Sequence, residues 1–452
     1  MPSHTNLLIA DPGGQITSAH STVPPKEFGP IFNDAFQVLR GIVVGNDAQL
    51  LQAMFALASF EHVLWIAGPG TGKSMTADLI MSMFPDAQKL ALQITKDTTQ
   101  EAIFGNLIAK KLIEEGREVR NLEGGLGAVE FFYADEFMDG SPWAIRTMLN
   151  VLNERVVRSK DGGEVDAPLH SVIATTNFYR STGELEAVVD RFLAIAVMST
   201  ADRLHEHFRI GRGYTKTSGK EIKVPQLKYA DLLAFAEWIE SPEGPCISDA
   251  MMTLHYVLLL EFLERRYQRE LENWAAKNEV NLNDPSNKAN KPTMRDLGVF
   301  ITPRRGAKAL DFIKAAAGFA GRDEVVTEDL RAAGLVYCVI GDNSGHDQIW
   351  NQLCDEYLGT LDESSLEMLN EIGKLTEILG DLYSERGRGT KLVFALGGES
   401  ILHTRRKTLT VLGRKARKQP AVIRALALLD EGIKELDEDP HTTGVHVELW
   451  SN

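Results

Sequence analysis

The chain has 452 residues, of which 44% are hydrophobic, so it can fill more than one ordinary core. Lys and Arg total 48 against 63 Asp and Glu, and the net charge of -15 gives no overall attraction to nucleic acid or to an anionic membrane. Its three cysteines, Cys246, Cys338 and Cys354, lack the spacing of a zinc or redox motif, which predicts core thiols in a reducing compartment. Without an apolar run of about 18 residues or a secretion signal, we expect a multidomain cytoplasmic protein that does not enter a membrane.

The amino-terminal part changes character near residue 30. Residues 1–29 carry Gly13-Gly14 and Pro24-Pro25 among small polar residues without periodicity, which predicts a flexible arm. Between Phe32 and Phe60 the apolar spacing predicts two helices with a break at residues 42–45.

Three short apolar runs, residues 62–67, 131–134 and 171–174, follow in the next part of the chain. Runs of this length, separated by helical stretches, are typical of buried parallel strands. They predict an α/β domain over residues 30–205, with a parallel sheet covered by helices on both faces.

After residue 205 the patterns are mostly helical. We expect a helical domain over residues 206–344, with an exposed loop or hairpin at 209–223, and a mainly helical extension over residues 345–452. In the extension, Met368, Ile372, Leu375, Leu379 and Leu382 are spaced either as a core-facing helix or as a coiled-coil seam. The basic segment Arg405–Lys418 has the composition of a solvated face or of a contact to phosphate or an acidic partner.

The segment Ala67–Ser74 has the pattern of a phosphate-binding P-loop between a predicted strand and the predicted helix Met75–Met83. Glycines in such a loop let successive backbone N–H groups point at one phosphate at the amino end of the helix. Lys73 then neutralises the β- and γ-phosphate oxygens of ATP, and the Ser74 hydroxyl joins the shell of Mg²⁺. Ala67 stands where the strict motif has glycine, a small departure because this residue ends the strand. The predicted nucleotide-binding residues of the loop are Gly68, Pro69, Gly70, Thr71, Gly72, Lys73 and Ser74.

An acidic pair, Asp135-Glu136, directly follows the apolar run 131–134. Ligands of open α/β sheets bind at the carboxyl ends of the strands. We therefore expect Asp135 to hold magnesium through its water, and Glu136 to orient and deprotonate the water that attacks the γ-phosphate. Without the P-loop, an acidic pair at this position would equally well be solvated strand-end residues.

Three further polar residues are candidates for the same site. Asn177 ends the run 174–177, where its amide can hold the attacking water, although a turn asparagine is common at a strand end. Arg191 and Arg304 are either surface arginines or the guanidinium groups that a second domain or subunit supplies to the γ-phosphate.

In this order, the P-loop, the acidic pair, Asn177, Arg191 and Arg304 resemble the motif set of an AAA+ ATPase. The connecting sequence resembles the MoxR family, RavA-like branch, over about residues 31–340. The segments that carry this resemblance are 103–107 with 115–117, 147–155 after the acidic pair, 185–192, 301–305, 315–317 and 321–322.

The resemblance implies an AAA+ P-loop αβα core, an all-helical lid and ATP hydrolysis in a homo-oligomeric ring, usually a hexamer. It implies that Arg191 reaches the ATP of the neighbouring subunit, whereas Asn177 and Arg304 act on the nucleotide of their own subunit. It also implies a chaperone-like role, often with a partner bearing a von Willebrand A domain. Residues 137–143 depart from the family's pattern, and residues 345–452 show no match to the RavA carboxyl-terminal region.

Two other functions remain open from the residues. One is a nucleic-acid-directed motor subunit of a restriction or phage-defence system, with Arg405–Lys418 and Lys216–Lys223 on phosphates; its ATP turnover would be stimulated by DNA and would fall steeply with salt. The other is a nucleotide-dependent scaffold that hardly turns over, which the presence of Glu136 disfavours.

Overall fold

The structure is a computed structural model. The parts of the chain that it describes are residues 22–108, 113–114, 120–158, 164–178, 189–199, 206–211, 223–282, 284, 291–387, 404–407, 409 and 416–437.

The architecture is a mixed α/β core followed by helices. In chain order, the helices are α1 (Pro25–Ile42), α2 (Asp47–Leu57), α3 (Lys73–Ser82), α4 (Gln100–Phe104), α5 (Pro142–Glu154), α6 (Tyr229–Glu240), α7 (Asp249–Lys277), α8 (Pro303–Phe319), α9 (Gly334–Tyr337), α10 (His346–Leu358), α11 (Glu363–Gly387) and α12 (Pro420–Asp437). Short 3₁₀ helices cover Leu126–Ala128, Phe137–Asp139, Thr327–Ala333 and Ala416–Lys418.

Five parallel strands form the central sheet in the order β2-β3-β6-β1-β7. The strands are β1 (Val63–Ala67), β2 (Lys89–Gln93), β3 (Phe131–Asp135), β6 (Ser171–Thr176) and β7 (Ala194–Met198), while β4 (Val156–Arg158) and β5 (Glu164–Asp166) form a separate antiparallel pair. The three apolar runs of the sequence are strands β1, β3 and β6, as predicted. Because β1 lies between β6 and β7, the loops after the central strands meet at one edge of the sheet.

The ordered part of the chain begins earlier than the sequence predicts. Helix α1 starts at Pro25, and the Phe28 side chain is 1% exposed and stacks against Phe32. The backbone N–H of Thr22 donates to Asp231 of α6 over 2.6 Å. The boundary of the predicted arm at residue 29 is therefore wrong, because proline fits the first turn of a helix and Phe28 supplies the apolar contact. Residues 1–21 lie outside the described residues.

The helices after the sheet share one core with the carboxyl-terminal extension. Helix α11 packs along α7 and α12, and its Met368, Ile372, Leu375 and Leu379 side chains are buried. The heptad-like spacing is thus that of a core-facing helix; the Leu382 side chain is outside the described part.

Two predicted surface segments are only partly described. Residues 206–211 are helical and largely exposed, so residues 209–211 of the predicted loop at 209–223 are helical instead, and residues 212–222 lie outside the description. In the basic segment, Arg406 pairs with Asp430 of α12, while residues 410–415 are not described. Within the described ranges, no helix is long and apolar enough to cross a membrane.

Candidate nucleotide site

The P-loop connects the end of β1 to the first turn of α3. Gly70 and Gly72 have φ values of +79° and +81°, which glycine adopts without the strain that a side chain would bring. Gly72 is the residue before α3, whose first residue is Lys73. The Thr71 hydroxyl donates to the Gly68 carbonyl over 3.0 Å and closes the turn. The loop therefore leaves the amino end of a ten-residue helix open at the carboxyl edge of the sheet.

Lys73 lies among the polar residues that end the neighbouring strands. Its Nζ donates to Asn177 Oδ1 over 3.0 Å and lies 3.4 Å from Asp135 Oδ1. Burial alone would raise the pKa of Asp135, but the hydrogen bond from Thr175 and the charge of Lys73 outweigh it and lower that pKa. The Asp135 carboxylate is therefore ionised at neutral pH, as a magnesium-binding residue must be.

Glu136 is held from two sides at the same edge. Gln93 Nε2 donates to Glu136 Oε2 over 2.7 Å, and Asn177 Nδ2 lies 3.5 Å from Glu136 Oε1. The backbone of Glu136 is left-handed, with φ +55° and ψ +38°, a conformation that non-glycine residues adopt at a cost and that often marks functional sites. The structure thus brings Lys73, Asp135, Glu136 and Asn177 together.

Three residues at this edge were not predicted from the sequence. Gln93 ends β2, whose Lys-Leu-Ala-Leu-Gln alternation gives a weaker signal than the apolar runs. Thr175 donates to Asp135 Oδ1 over 2.5 Å, and Tyr133 donates to Ser74 Oγ over 3.0 Å. A polar residue inside a strand that leads to an acidic pair is the signal that could have found Tyr133.

The donor set at this edge fits magnesium with ATP. Mg²⁺ prefers oxygen ligands and is often held by one or two carboxylates together with substrate phosphates. Tyr133 donates to the Ser74 hydroxyl, Thr175 donates to the Asp135 carboxylate, and the oxygens of Tyr133 and Thr175 lie 3.4 Å apart. In the described residues no cluster of three or more His, Cys, Asp or Glu offers a metal site by itself. Ser74 and Asp135 are the residues that would hold the ion.

Arg191 lies at the opposite edge of the sheet from the P-loop. It precedes β7, where the Ala194 backbone N–H donates to the His62 carbonyl at the amino end of β1. A five-residue strand is roughly 16 Å long, so this edge is far from Lys73 of the same subunit. Arg191 Nη1 is paired with Asp190 Oδ2 over 3.3 Å, and its buried Nε has no hydrogen-bond partner among the described residues.

Arg304 lies at this amino edge too. Its Nη1 donates to Asn153 Oδ1 over 2.7 Å, near the carboxyl end of α5. Burial lowers the pKa of His62, and the nearby charges of Arg155 and Arg304 lower it further. Because α8 docks at this edge, the structure does not bring Arg304 to the P-loop of its own subunit, and the role of Arg304 at the nucleotide stays a prediction.

A partly buried ionic cluster joins α8 to the amino edge. Lys308, one turn after Arg304, lies 3.2 Å from Glu61 and 3.3 Å from both Glu240 and Asp311. Burial alone would lower the pKa of Lys308, but these carboxylates raise it. Burial raises the pKa of Asp311 to about 6 despite the charge of Lys308.

The strand order, the P-loop after β1 and the acidic pair after β3 together define an AAA+ core. Residues 31–236 match the family model described as the MoxR domain in the MoxR-vWA-beta-propeller ternary systems. The matched segment, less than half of the chain, is similar to a MoxR domain, and the fold is consistent with an AAA+ core.

One solved structure shares this fold, and two curated proteins share part of the sequence. The crystal structure described as a putative ATPase from Cytophaga hutchinsonii has the same fold, with a TM-score of 0.51 and 17% identity over 75% of this chain and 96% of that chain. Two proteins of Methanocaldococcus jannaschii, both named uncharacterized, are 29% identical over 182 residues and 31% identical over 141 residues. These alignments cover 39% and 31% of this chain, and 47% and 37% of the relatives, so the chain spans less than half of either.

Proposed function

We propose that the chain hydrolyses Mg-ATP and uses the energy to rearrange a protein partner. The observation that carries the proposal is the convergence of Lys73, Asp135, Glu136 and Asn177 at the open end of α3. The P-loop N–H groups and Lys73 would bind the phosphates, Asn177 would position water, and Glu136 would accept its proton. Magnesium, when bound to Ser74 and the water on Asp135, would neutralise charge on the β- and γ-phosphates.

The active form in this proposal is a ring, with a hexamer as the expected size. Arg191 and Arg304 lie at the amino edge, so neither side chain can serve the P-loop of its own subunit in this arrangement. In a head-to-tail ring, that edge faces the carboxyl edge of the next subunit. Both arginines would then stabilise the γ-phosphate charge of a neighbour's ATP, and a single subunit would be a poor catalyst.

The proposed partner bears a von Willebrand A domain. The family model that matches residues 31–236 is named for systems that combine a MoxR domain with a vWA and a beta-propeller component, which supports this class of partner. We also propose the RavA-like, chaperone-like role that the sequence resemblance implies. The net charge of -15 does not favour the nucleic-acid-directed motor, and DNA-stimulated turnover would be the result that revives it.

The test is to compare the parent chain with Glu136→Gln and Lys73→Ala. We expect Glu136→Gln to bind ATP as the parent does while kcat falls by about 10² to 10⁴, the usual contribution of a general base. Lys73→Ala should lose ATP affinity itself. ATP turnover by Glu136→Gln equal to that of the parent would contradict the assignment of Glu136, and unchanged ATP binding by Lys73→Ala would contradict the site.

A further inference from the structure

A chain of hydroxyl groups runs from Ser74 on the P-loop to Asp135 at the end of β3. Tyr133 donates to Ser74 Oγ over 3.0 Å and lies 3.4 Å from Thr175 Oγ1, which donates to Asp135 Oδ1 over 2.5 Å. Tyr133 is 5% exposed and Thr175 is fully buried, so water does not compete for these bonds. The chain joins both residues of the proposed magnesium site through two residues that have no role in that site.

A count of protons limits how this chain can be arranged. Each hydroxyl has one proton and can accept with its lone pairs. The proton of Thr175 is committed to the charged Asp135, because hydrogen bonds to carboxylates are the stronger ones. Tyr133 therefore has one proton for two neighbours, Ser74 and Thr175. Tyr133 donates either to Ser74, as in the structure, or to Thr175. In the second arrangement the Ser74 hydroxyl would donate to Tyr133.

We propose that Tyr133 and Thr175 are positioning residues for the magnesium ion of bound ATP, an inference that depends on the proposed function. In the structure Tyr133 donates to Ser74 Oγ over 3.0 Å. With magnesium held at Ser74 Oγ, the Ser74 hydroxyl would instead donate to the Tyr133 oxygen, and the Tyr133 proton would turn to Thr175. No covalent bond forms or breaks, and every proton stays on its oxygen.

This second arrangement makes Ser74 a better ligand. All three hydroxyls then donate in one direction, towards the Asp135 carboxylate, and hydrogen bonds in such a row polarise one another. Ser74 Oγ gains electron density at the atom that faces the cation. Groups that hydrogen-bond to a metal ligand typically change metal affinity by about 10- to 100-fold.

The choice of tyrosine at this position supports the inference. Its strand neighbours Phe131 and Phe132 are buried without a polar atom, and phenylalanine would fill the Tyr133 site without desolvating a phenol. Burying the hydroxyl therefore costs desolvation free energy without improving the packing, and what it provides is the hydrogen bond to Ser74.

The experiment measures how much magnesium improves ATP binding in the full chain. Glu136→Gln serves as the parent, so that hydrolysis does not consume the ATP, and calorimetry gives the ATP affinity in excess Mg²⁺ and in EDTA. Tyr133→Phe and Thr175→Val are added to this parent. Thr175→Ser keeps the hydroxyl, and Tyr337→Phe removes another buried phenol, hydrogen-bonded to His255 far from the P-loop.

We expect the magnesium-dependent gain in ATP affinity to fall about tenfold in Tyr133→Phe and in Thr175→Val. ATP affinity in EDTA should stay within about twofold, because the chain acts on the cation. Thr175→Ser and Tyr337→Phe should keep the gain of the parent. The double variant should lose no more than the larger single loss, because either substitution breaks the same chain.

The inference would be overturned if Tyr133→Phe kept the magnesium-dependent gain in ATP affinity of the parent. It would also be overturned if Tyr133→Phe lost as much ATP affinity in EDTA as in excess Mg²⁺. If Tyr133→Phe does not fold, the comparison of Thr175→Ser with Thr175→Val decides, and equal gains in these two would overturn it. A parent that binds no ATP, or gains nothing from Mg²⁺, would instead show that the proposed function is wrong. The two failures are therefore distinguishable.

Discussion

The two edges of the five-stranded sheet use charged residues differently. At the carboxyl edge, Lys73 Nζ lies 3.4 Å from Asp135 Oδ1, with Glu136 beside them, and the group is open to a ligand. At the amino edge, Lys308 is surrounded by carboxylates from three elements, and Glu61 is 5% exposed. The first arrangement suits binding, whereas the second fixes the helix that carries Arg304.

In the proposed ring, the amino edge would be structural inside one subunit and would act on ATP only across the contact between subunits. Arg191 and Arg304 do not belong to the ion pairs of the Lys308 cluster, since they contact Asp190 and Asn153 instead. The cluster joins α8, which carries Arg304, to Glu61 and Glu240. The following substitutions separate the two roles.

The largest effect is expected from Arg191→Ala, which removes an amino-edge guanidinium without touching the P-loop. ATP binding should be unchanged, while kcat should fall by about 10³ or more, as for other arginines that stabilise γ-phosphate charge. Steady-state turnover and ATP affinity measured on the same sample check this. Near-normal ATP turnover with normal ring assembly would contradict the role of Arg191 at the nucleotide of the neighbouring subunit.

Lys308→Ala tests the structural role of the same edge. Removing Lys308 leaves the buried Glu61 and the partly buried Asp311 without their cation, and we expect a loss of about 1 to 3 kcal/mol in the free energy of unfolding. Lys314→Ala, on the same helix but outside the ion pairs, is the control and should cost less than about 1 kcal/mol. Denaturant unfolding of both variants measures the difference.

The pH dependence of Lys308→Ala gives the sign of this effect. The pKa of Asp311 is already raised to about 6 by burial, and removal of Lys308 raises it further. A carboxyl whose pKa is raised on folding supports stability at low pH and loses that support as pH rises through the folded pKa. The deficit of Lys308→Ala against the parent should therefore be larger at pH 8 than at pH 5. A deficit that grows on acidification would contradict the cluster.

The smallest effect is expected at the carboxyl edge, from Gln93→Ala. The substitution removes the hydrogen bond from Gln93 to Glu136 Oε2. Because Glu136 itself stays and only its orientation is affected, kcat should fall by about tenfold or less, with KM for ATP unchanged. Gln88→Ala, before the same strand, is the control. A change in KM rather than in kcat would assign Gln93 to nucleotide binding.

The carboxyl edge could be predicted from the sequence because its residues follow apolar runs at strand ends. Strands β1, β3 and β6 and the P-loop were identified in this way. Strand β2 was not, because an edge strand with alternating exposure has no continuous apolar run. Its last residue, Gln93, was missed with it.

The amino edge could not be predicted in the same way. The position of Arg304 depends on which side of the sheet α8 docks, and this is decided by Lys308 and three carboxylates far apart in the sequence. Local patterns carry no information on such pairings. The same holds for Thr22 and Asp231, whose contact orders the start of the chain.

The most direct test of the account is a mixture of Arg191→Ala and Lys73→Ala subunits. The first keeps its own P-loop and lacks Arg191, whereas the second supplies Arg191 and binds no nucleotide. We predict that each variant alone is inactive and that mixed assemblies recover ATP turnover well above the sum of the two. Mixed assemblies that form but stay inactive would contradict a site completed by the neighbouring subunit.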